Sequence, residues 1–164
     1  MAADDAVNDP ASNAAASTAP APPRPGALLG WRTMALLYDL FPALGLWFAV
    51  GVIAVLLNGG EPVYGDTVAG WLELLALWLV TGAYATVSWR RGGQTLGMRA
   101  WRLRLVAADG GVPDWRALLV RYAVGTLSLL AVGAGFWWGW IDRERLTWHD
   151  RVSATRVVRE PKPV

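Results

Sequence analysis

The sequence predicts an all-α membrane protein with two transmembrane helices, a third returning or interfacial helical segment, and a small strand pair beside the membrane. Three observations carry that prediction. Long apolar stretches occupy 33–57, 71–89 and 117–141. The fifteen Lys and Arg residues are absent from the connection 58–70 and concentrated in 90–116 and beyond Ile141. Two short segments, near 101–107 and 154–158, show the alternation or β-branched content of half-buried strands.

Residues 1–27 form an arm rich in Ala, Pro, Ser and Asp, nearly free of large apolar side chains. Such a segment cannot bury enough surface to offset its ordering entropy, and disorder is expected. It opens with Asp4 and Asp5 and lacks the basic start and apolar run of a secretory signal, so the first helix is expected to direct its own insertion. The membrane domain is expected over 28–160, with 161–164 as a tail.

The first apolar run, Thr33 to Leu57, is 25 residues long and contains one charge, Asp39. Roughly 20 helical residues cross a bilayer core, so this run suffices. The second, Trp71 to Trp89, is 19 residues with one charge, Glu73, placed near the outer interface where a carboxylate reaches water. The third, Ala117 to Ile141, carries only Arg121 and is dotted with Gly125, Gly133, Gly135 and Gly139. Trp31, Trp71, Trp89 and the 137–140 cluster stand at segment ends, where indole rings favour the interface.

Composition agrees. Hydrophobic residues make up 54% of the 164 and charged residues 17%, on the apolar side of an ordinary soluble domain. There is no cysteine, hence no disulfide or thiolate site, and the single histidine, His149, excludes a histidine-rich metal cluster. No metal or cofactor is expected. With no nucleophile–base pair or phosphate loop in view, catalysis is not expected, and nucleic acid is not an expected partner.

Cytoplasmic loops carry the Lys/Arg excess. Two basic residues precede the first span, six lie from Arg90 to Arg116, and six follow Ile141, while the 58–70 loop carries Glu61 and Asp66 instead. The first two spans therefore place the N-terminus and 90–116 inside. A single crossing by 117–141 would put the basic tail outside. A segment that turns back at its glycines, or lies along the inner interface with Arg116 and Arg121 snorkelling, keeps every basic residue inside.

Asp39 is the acid deepest in a span, and intramembrane carboxylates are costly and usually functional. Arg32 lies seven residues earlier on the same helical stripe, about 10 Å away along the axis, so a bridging partner is expected rather than a direct ion pair. Pro42 removes the amide donor for the carbonyl of Tyr38, which brings a free carbonyl and a carboxylate into one turn. Tyr84 of the second span stands at about the same depth and can donate to the carboxyl. Such an oxygen cluster suits a cation or proton; the plainer alternative is that Asp39 locks helix packing.

Two motif-like segments are set aside. Gly92-Gly93-Gln94-Thr95-Leu96-Gly97 has P-loop glycine spacing, but Met98 and Arg99 stand where Lys and Ser/Thr are required. It reads as a glycine-bearing turn. His149-Asp150 lacks the further histidines of a metal phosphohydrolase, and Asp150 is expected to cap or salt-bridge the surrounding basic segments.

Taken in order, these residues resemble the RDD family of bacterial membrane proteins, named for one arginine and two aspartates. Arg32, Asp39 and Asp150 match the three. Gly93, Thr95 and Gly97 are similar to the family's Gly-x-Thr-x-Gly-Lys segment, with Met98 in the lysine position. Asp150 lies in Thr147-Trp148-His149-Asp150-Arg151, and Ser153 to Val158, with Thr155, resembles the closing small-Thr-Val pattern. The resemblance covers residues 30–158. It implies an inner-membrane, multi-pass protein, with transport the role usually suggested and cation/proton exchange attributed to some members.

Two functions are expected from this reading. One is a part in transport of a small ligand or cation, with Asp39, Arg32, Tyr38 and Tyr84 as candidate binding groups, in a homo-oligomer because so few spans enclose little. The other is a scaffold or accessory protein whose arginine-rich face binds anionic lipid headgroups of the bilayer or a partner.

Overall fold

The structure, a computed structural model, describes residues 28–142 and 146–161. The expected 1–27 arm and most of the 161–164 tail lie outside the described residues.

Helix α1 (Leu29–Leu57) extends the first apolar run by one turn at its start and so includes Arg32. Its 29 residues span about 43 Å at 1.5 Å each, more than a hydrocarbon core of about 30 Å. Pro42 is absorbed without a break. Helix α2 (Val68–Gly92) starts at Thr67, whose side chain accepts from the Gly70 amide. It ends at Gly93, which takes the left-handed conformation (φ 69°) that a glycine adopts without a Cβ clash. Arg90 and Arg91 in its last turn suit the negative end of the helix dipole. Both helices are long and apolar enough to cross a membrane.

A short helix α3 (Leu96–Ala100), N-capped by Thr95, leads into strand β1 (Leu103–Ala107). Helix α4 (Trp115–Leu130) is capped by Asp114, whose carboxylate accepts from the Ala117 amide at 2.7 Å. Helix α5 (Ala134–Ile141) follows after a bend of 96°. Helix α6 (Trp148–Val152) carries a full capping box, the Thr147 hydroxyl and the Asp150 carboxylate each serving the other's backbone amide. Strand β2 (Thr155–Arg159) closes the chain.

The two strands pair antiparallel, Leu103 with Arg159 and Ala107 with Thr155. Leu103, Leu105, Thr155 and Val157 are buried while Arg104 and Arg156 point out, the alternation that the sequence shows. Pairing puts β1 and β2 at one end of the bundle, so the chain between them, including α4 and α5, goes in and comes back. The third apolar segment thus begins and ends at the same end of the bundle, as expected of a returning or interfacial pair and not of a straight single span. Its turn uses Val132 (φ 55°) and Gly133 (φ 75°), both left-handed.

The core lies at this same end: Leu28, Ala35, Met98, Leu103, Leu105, Leu118 and Val157, with Trp31, Trp89 and Trp101 packed around them. In the membrane layer α2 packs against both α1 and α4. Trp47 of α1 donates to Thr81 of α2 at 2.8 Å, Trp78 of α2 donates to Thr126 of α4 at 3.2 Å, and the Tyr122 hydroxyl donates to the Trp78 carbonyl at 2.8 Å. Gly82 makes room for Tyr122, since a Cβ there would lie 2.6 Å from its ring. The remaining helix surface is apolar and exposed, including Phe41 (74%) and Phe48 (75%), and needs lipid or another subunit to cover it.

Candidate functional site

Asp39 is fixed by the segment that follows α2. Its Oδ1 accepts from the Tyr84 hydroxyl and from the Gly97 amide, both at 2.8 Å, and its Oδ2 accepts from the Thr95 hydroxyl at 2.5 Å. The Tyr84 hydroxyl in turn accepts from the Leu96 amide at 3.1 Å, and Thr95 caps Met98. Three amides that open α3 are thus satisfied by side chains, two of them from the long helices. Gly97 has to be glycine for this contact: a Cβ would run into the Ala35 carbonyl oxygen and lie 2.9 Å from the Asp39 carboxyl carbon. Gly93, Thr95 and Gly97 are therefore a left-handed helix end, a cap and a close-approach position. None of the three is placed to cradle phosphate.

The second centre is an ion triad. Asp150 Oδ2 accepts from Arg32 Nη1 at 2.5 Å and Oδ1 from Arg121 Nη1 at 2.6 Å. Arg121 Nη1 also donates to Thr155 Oγ1 at 2.8 Å, and its guanidinium sits 5.6 Å over the Trp89 ring. The Thr155 hydroxyl is linked to Ser153, which donates to the His149 carbonyl. Arg32, Arg121 and Asp150 are 7%, 6% and 1% exposed, so three charges share a nearly dry site and one positive charge is left over. Burial opposes ionisation of Asp150, but the Arg121 and Arg32 guanidiniums outweigh it and hold the carboxyl well below the usual carboxylate range. His149, buried beside the Phe136 ring, has its pKa lowered to about 3 by burial and by Arg121. It is neutral, with Nε2 2.9 Å from Thr147 Oγ1.

Between α1, α2 and α4 lies a partly open cavity of about 270 Å³. Leu36, Leu40, Ala85, Gly125, Leu129 and Phe136 line its apolar walls, and Arg32, Asp39, Arg121, Tyr84 and His149 also reach it.

Of the residues singled out in the sequence, the structure brings Asp39, Tyr84, Thr95 and Gly97 into one cluster and Arg32, His149, Asp150 and Thr155 into another. Tyr38 joins neither: its ring stacks edge-on against Trp101 at 5.6 Å and is 48% exposed. The Asp39 oxygens turn toward Tyr84, Thr95 and Gly97. As expected, Arg32 and Asp39 form no direct ion pair; Arg32 is drawn to Asp150, 118 residues on. Arg121, which was to snorkel in the interfacial alternative, is the second arm of the triad. Glu73 is half-buried, with Oε1 close to Gly51 of α1. Among the described residues no group of three or more His, Cys, Asp or Glu is placed to hold a metal.

The one signal for Arg121 was its isolation as the sole charge of an apolar stretch. Its partner could not be read from the sequence.

The family model described as "RDD family" matches residues 27–154. No curated protein and no solved structure matches the chain.

Proposed function

Since this chain belongs to the RDD family, we propose that it is a non-catalytic membrane protein that holds a small ligand in the cavity between α1, α2 and α4 and takes part in that ligand's transport. The observation that carries this reading is the cavity itself, with two guanidiniums and a carboxylate brought to its apolar walls. Ionisable groups at the depth of a membrane helix are costly and mark pathways or ligand sites. In this reading Asp39 is an anchor: all its hydrogen bonds go to α2, to the Thr95 cap and to α3 itself. Arg32 and Arg121 face the ligand.

A second reading has its own support. Arg90, Arg91, Arg99, Arg104, Arg116 and Arg156 are exposed, and basic residues near an anionic membrane surface each contribute about 1 kcal/mol. Under it the protein is a scaffold or accessory protein gripping anionic headgroups or a partner. Both readings put the arginine-rich end in the cytoplasm of a bacterial inner-membrane protein, with N- and C-termini on that side. Both also allow a homo-oligomer that covers the exposed helix faces.

The test is flux through reconstituted liposomes, scanning protons, several cations and small organic acids. Transport predicts flux that Gly125→Leu blocks, because that position lines the cavity and has open space where a Cβ would go. Flux that Gly125→Leu leaves unchanged would overturn the transport reading. Anionic-vesicle binding that disappears with the exposed arginines, in the absence of flux, would favour the scaffold.

A further inference from the structure

We infer that the ligand of this cavity is an anionic amphiphile: one carboxylate or phosphate group carried on an apolar chain and drawn from the adjoining leaflet. The inference rests on the ligand-holding reading above and adds the chemical class. It begins with a charge count. Arg32 and Arg121 share the single carboxylate of Asp150, His149 is neutral, and one positive charge stays uncompensated in a nearly dry place. A buried charge without a partner is among the costliest arrangements in a protein.

Asp39 also lines the cavity, and its charge belongs in the count. It lies two helical turns from Arg32, forms no ion pair among the described residues, and has both oxygens occupied by Tyr84, Thr95 and Gly97. It is poorly placed to neutralise the guanidiniums.

The donors tell the same story. An arginine offers five N–H donors in a planar fork. Here neither fork grips Asp150 with two nitrogens: each uses Nη1 alone, the Nε of both is sealed in the protein without a partner, and the Nη2 of each makes no hydrogen bond among the described residues and is the donor left for a ligand. Two guanidiniums with spare donors, side by side at a cavity, are suited to an oxyanion.

Above them the walls become hydrocarbon. Leu36 and Leu40 on α1, Leu129 on α4 and Phe136 on α5 offer no charge and suit an acyl chain. A free inorganic anion would leave these walls uncovered, and a neutral lipid would leave the positive charge. An amphiphile answers both, and the membrane supplies it at high local concentration.

The experiment uses the full chain purified in a neutral sugar-headgroup detergent. Its melting temperature and native mass spectrum are recorded with hexadecanoic acid, with a single-chain phosphate lipid, and with hexadecanol. The expected result is binding of at least one acid roughly tenfold or more tighter than the alcohol, the margin of one charge-assisted hydrogen bond. That binding should vanish in Gly125→Leu, whose own melting temperature stays at or above the parent's because glycine is a poor helix residue. Preference between carboxylate and phosphate then names the source. If the alcohol binds as tightly as the acids and Gly125→Leu blocks all of them, the anion inference fails and the ligand-holding reading survives. If the acids bind Gly125→Leu as well as the parent, they bind elsewhere and both fail.

Discussion

Asp39 accepts from the Tyr84 and Thr95 hydroxyls and the Gly97 amide, so its removal strands three donors at a helix junction. Asp39→Ala is expected to cost about 3 kcal/mol, since hydrogen bonds to charged groups contribute about 1.5–3 kcal/mol each and some donors will find water. Asp39→Asn should lose less, because it keeps an acceptor and the Thr95 hydroxyl can reverse its role. Gly97→Ala should be at least as damaging as Asp39→Ala, as its methyl meets the Ala35 backbone and not a flexible side chain. Melting curves in detergent give the order; a Gly97→Ala protein as stable as the parent would mean that α3 does not dock this closely.

His149 adds a pH dependence. Its folded pKa of about 3 lies below the ordinary 6.5, so the unfolded chain binds the proton first. Stability is then full above about pH 6.5 and is lost as pH falls toward 3, by about 2 kcal/mol at pH 5. Asp150, depressed as well, adds a further loss only below the ordinary carboxylate range. His149→Gln should remove the upper part of this slope, leaving a melting temperature nearly flat down to about pH 4. Arg32 and Asp39 were legible as special because a charge beside or within an apolar run is conspicuous. Their partners were not, because periodicity relates residues a few turns apart, whereas Arg32 meets Asp150 at a separation of 118.

At the scale of elements, composition spoke most clearly where one physical demand dominates. Crossing lipid requires a long apolar run, and α1 and α2 follow theirs closely. A strand with one buried face requires alternation, and Leu103-Arg104-Leu105 shows it. The α4–α5 bend was legible only as a contest between charge placement and length. Glycines were expected to make it, and Gly133 does, but Val132 shares it in a conformation that a β-branched residue adopts at a cost. Val132 is 90% exposed, so little packing is lost on replacing it. Val132→Gly is expected to raise stability by about 1 kcal/mol through relief of that strain. Asp150→Ala is the opposite case: it leaves two buried guanidiniums without their carboxylate and breaks the α6 capping box. A loss of about 3–5 kcal/mol is expected, visible as poor accumulation or early melting; normal accumulation and melting would contradict a structural role for the triad.

For the whole molecule, the triad, the sheet and the cavity all require α4 and α5 to return to the side they left. Only then can Asp150 meet an arginine from α1 and another from α4, β2 pair with β1, and the cavity acquire its charged end. The chain has no cysteine, so single cysteines can report which side each segment occupies. Ala108→Cys and Pro161→Cys mark exposed positions flanking the returning pair, and Glu61→Cys marks the α1–α2 loop. Each is treated in intact cells with a membrane-impermeant maleimide, then again after the membrane is opened. Glu61→Cys is expected to label in intact cells, while Ala108→Cys and Pro161→Cys both label only after opening. Labelling of Pro161→Cys in intact cells, with Ala108→Cys still protected, would mean that the third segment crosses once, and would contradict the triad, the sheet and the site built on them.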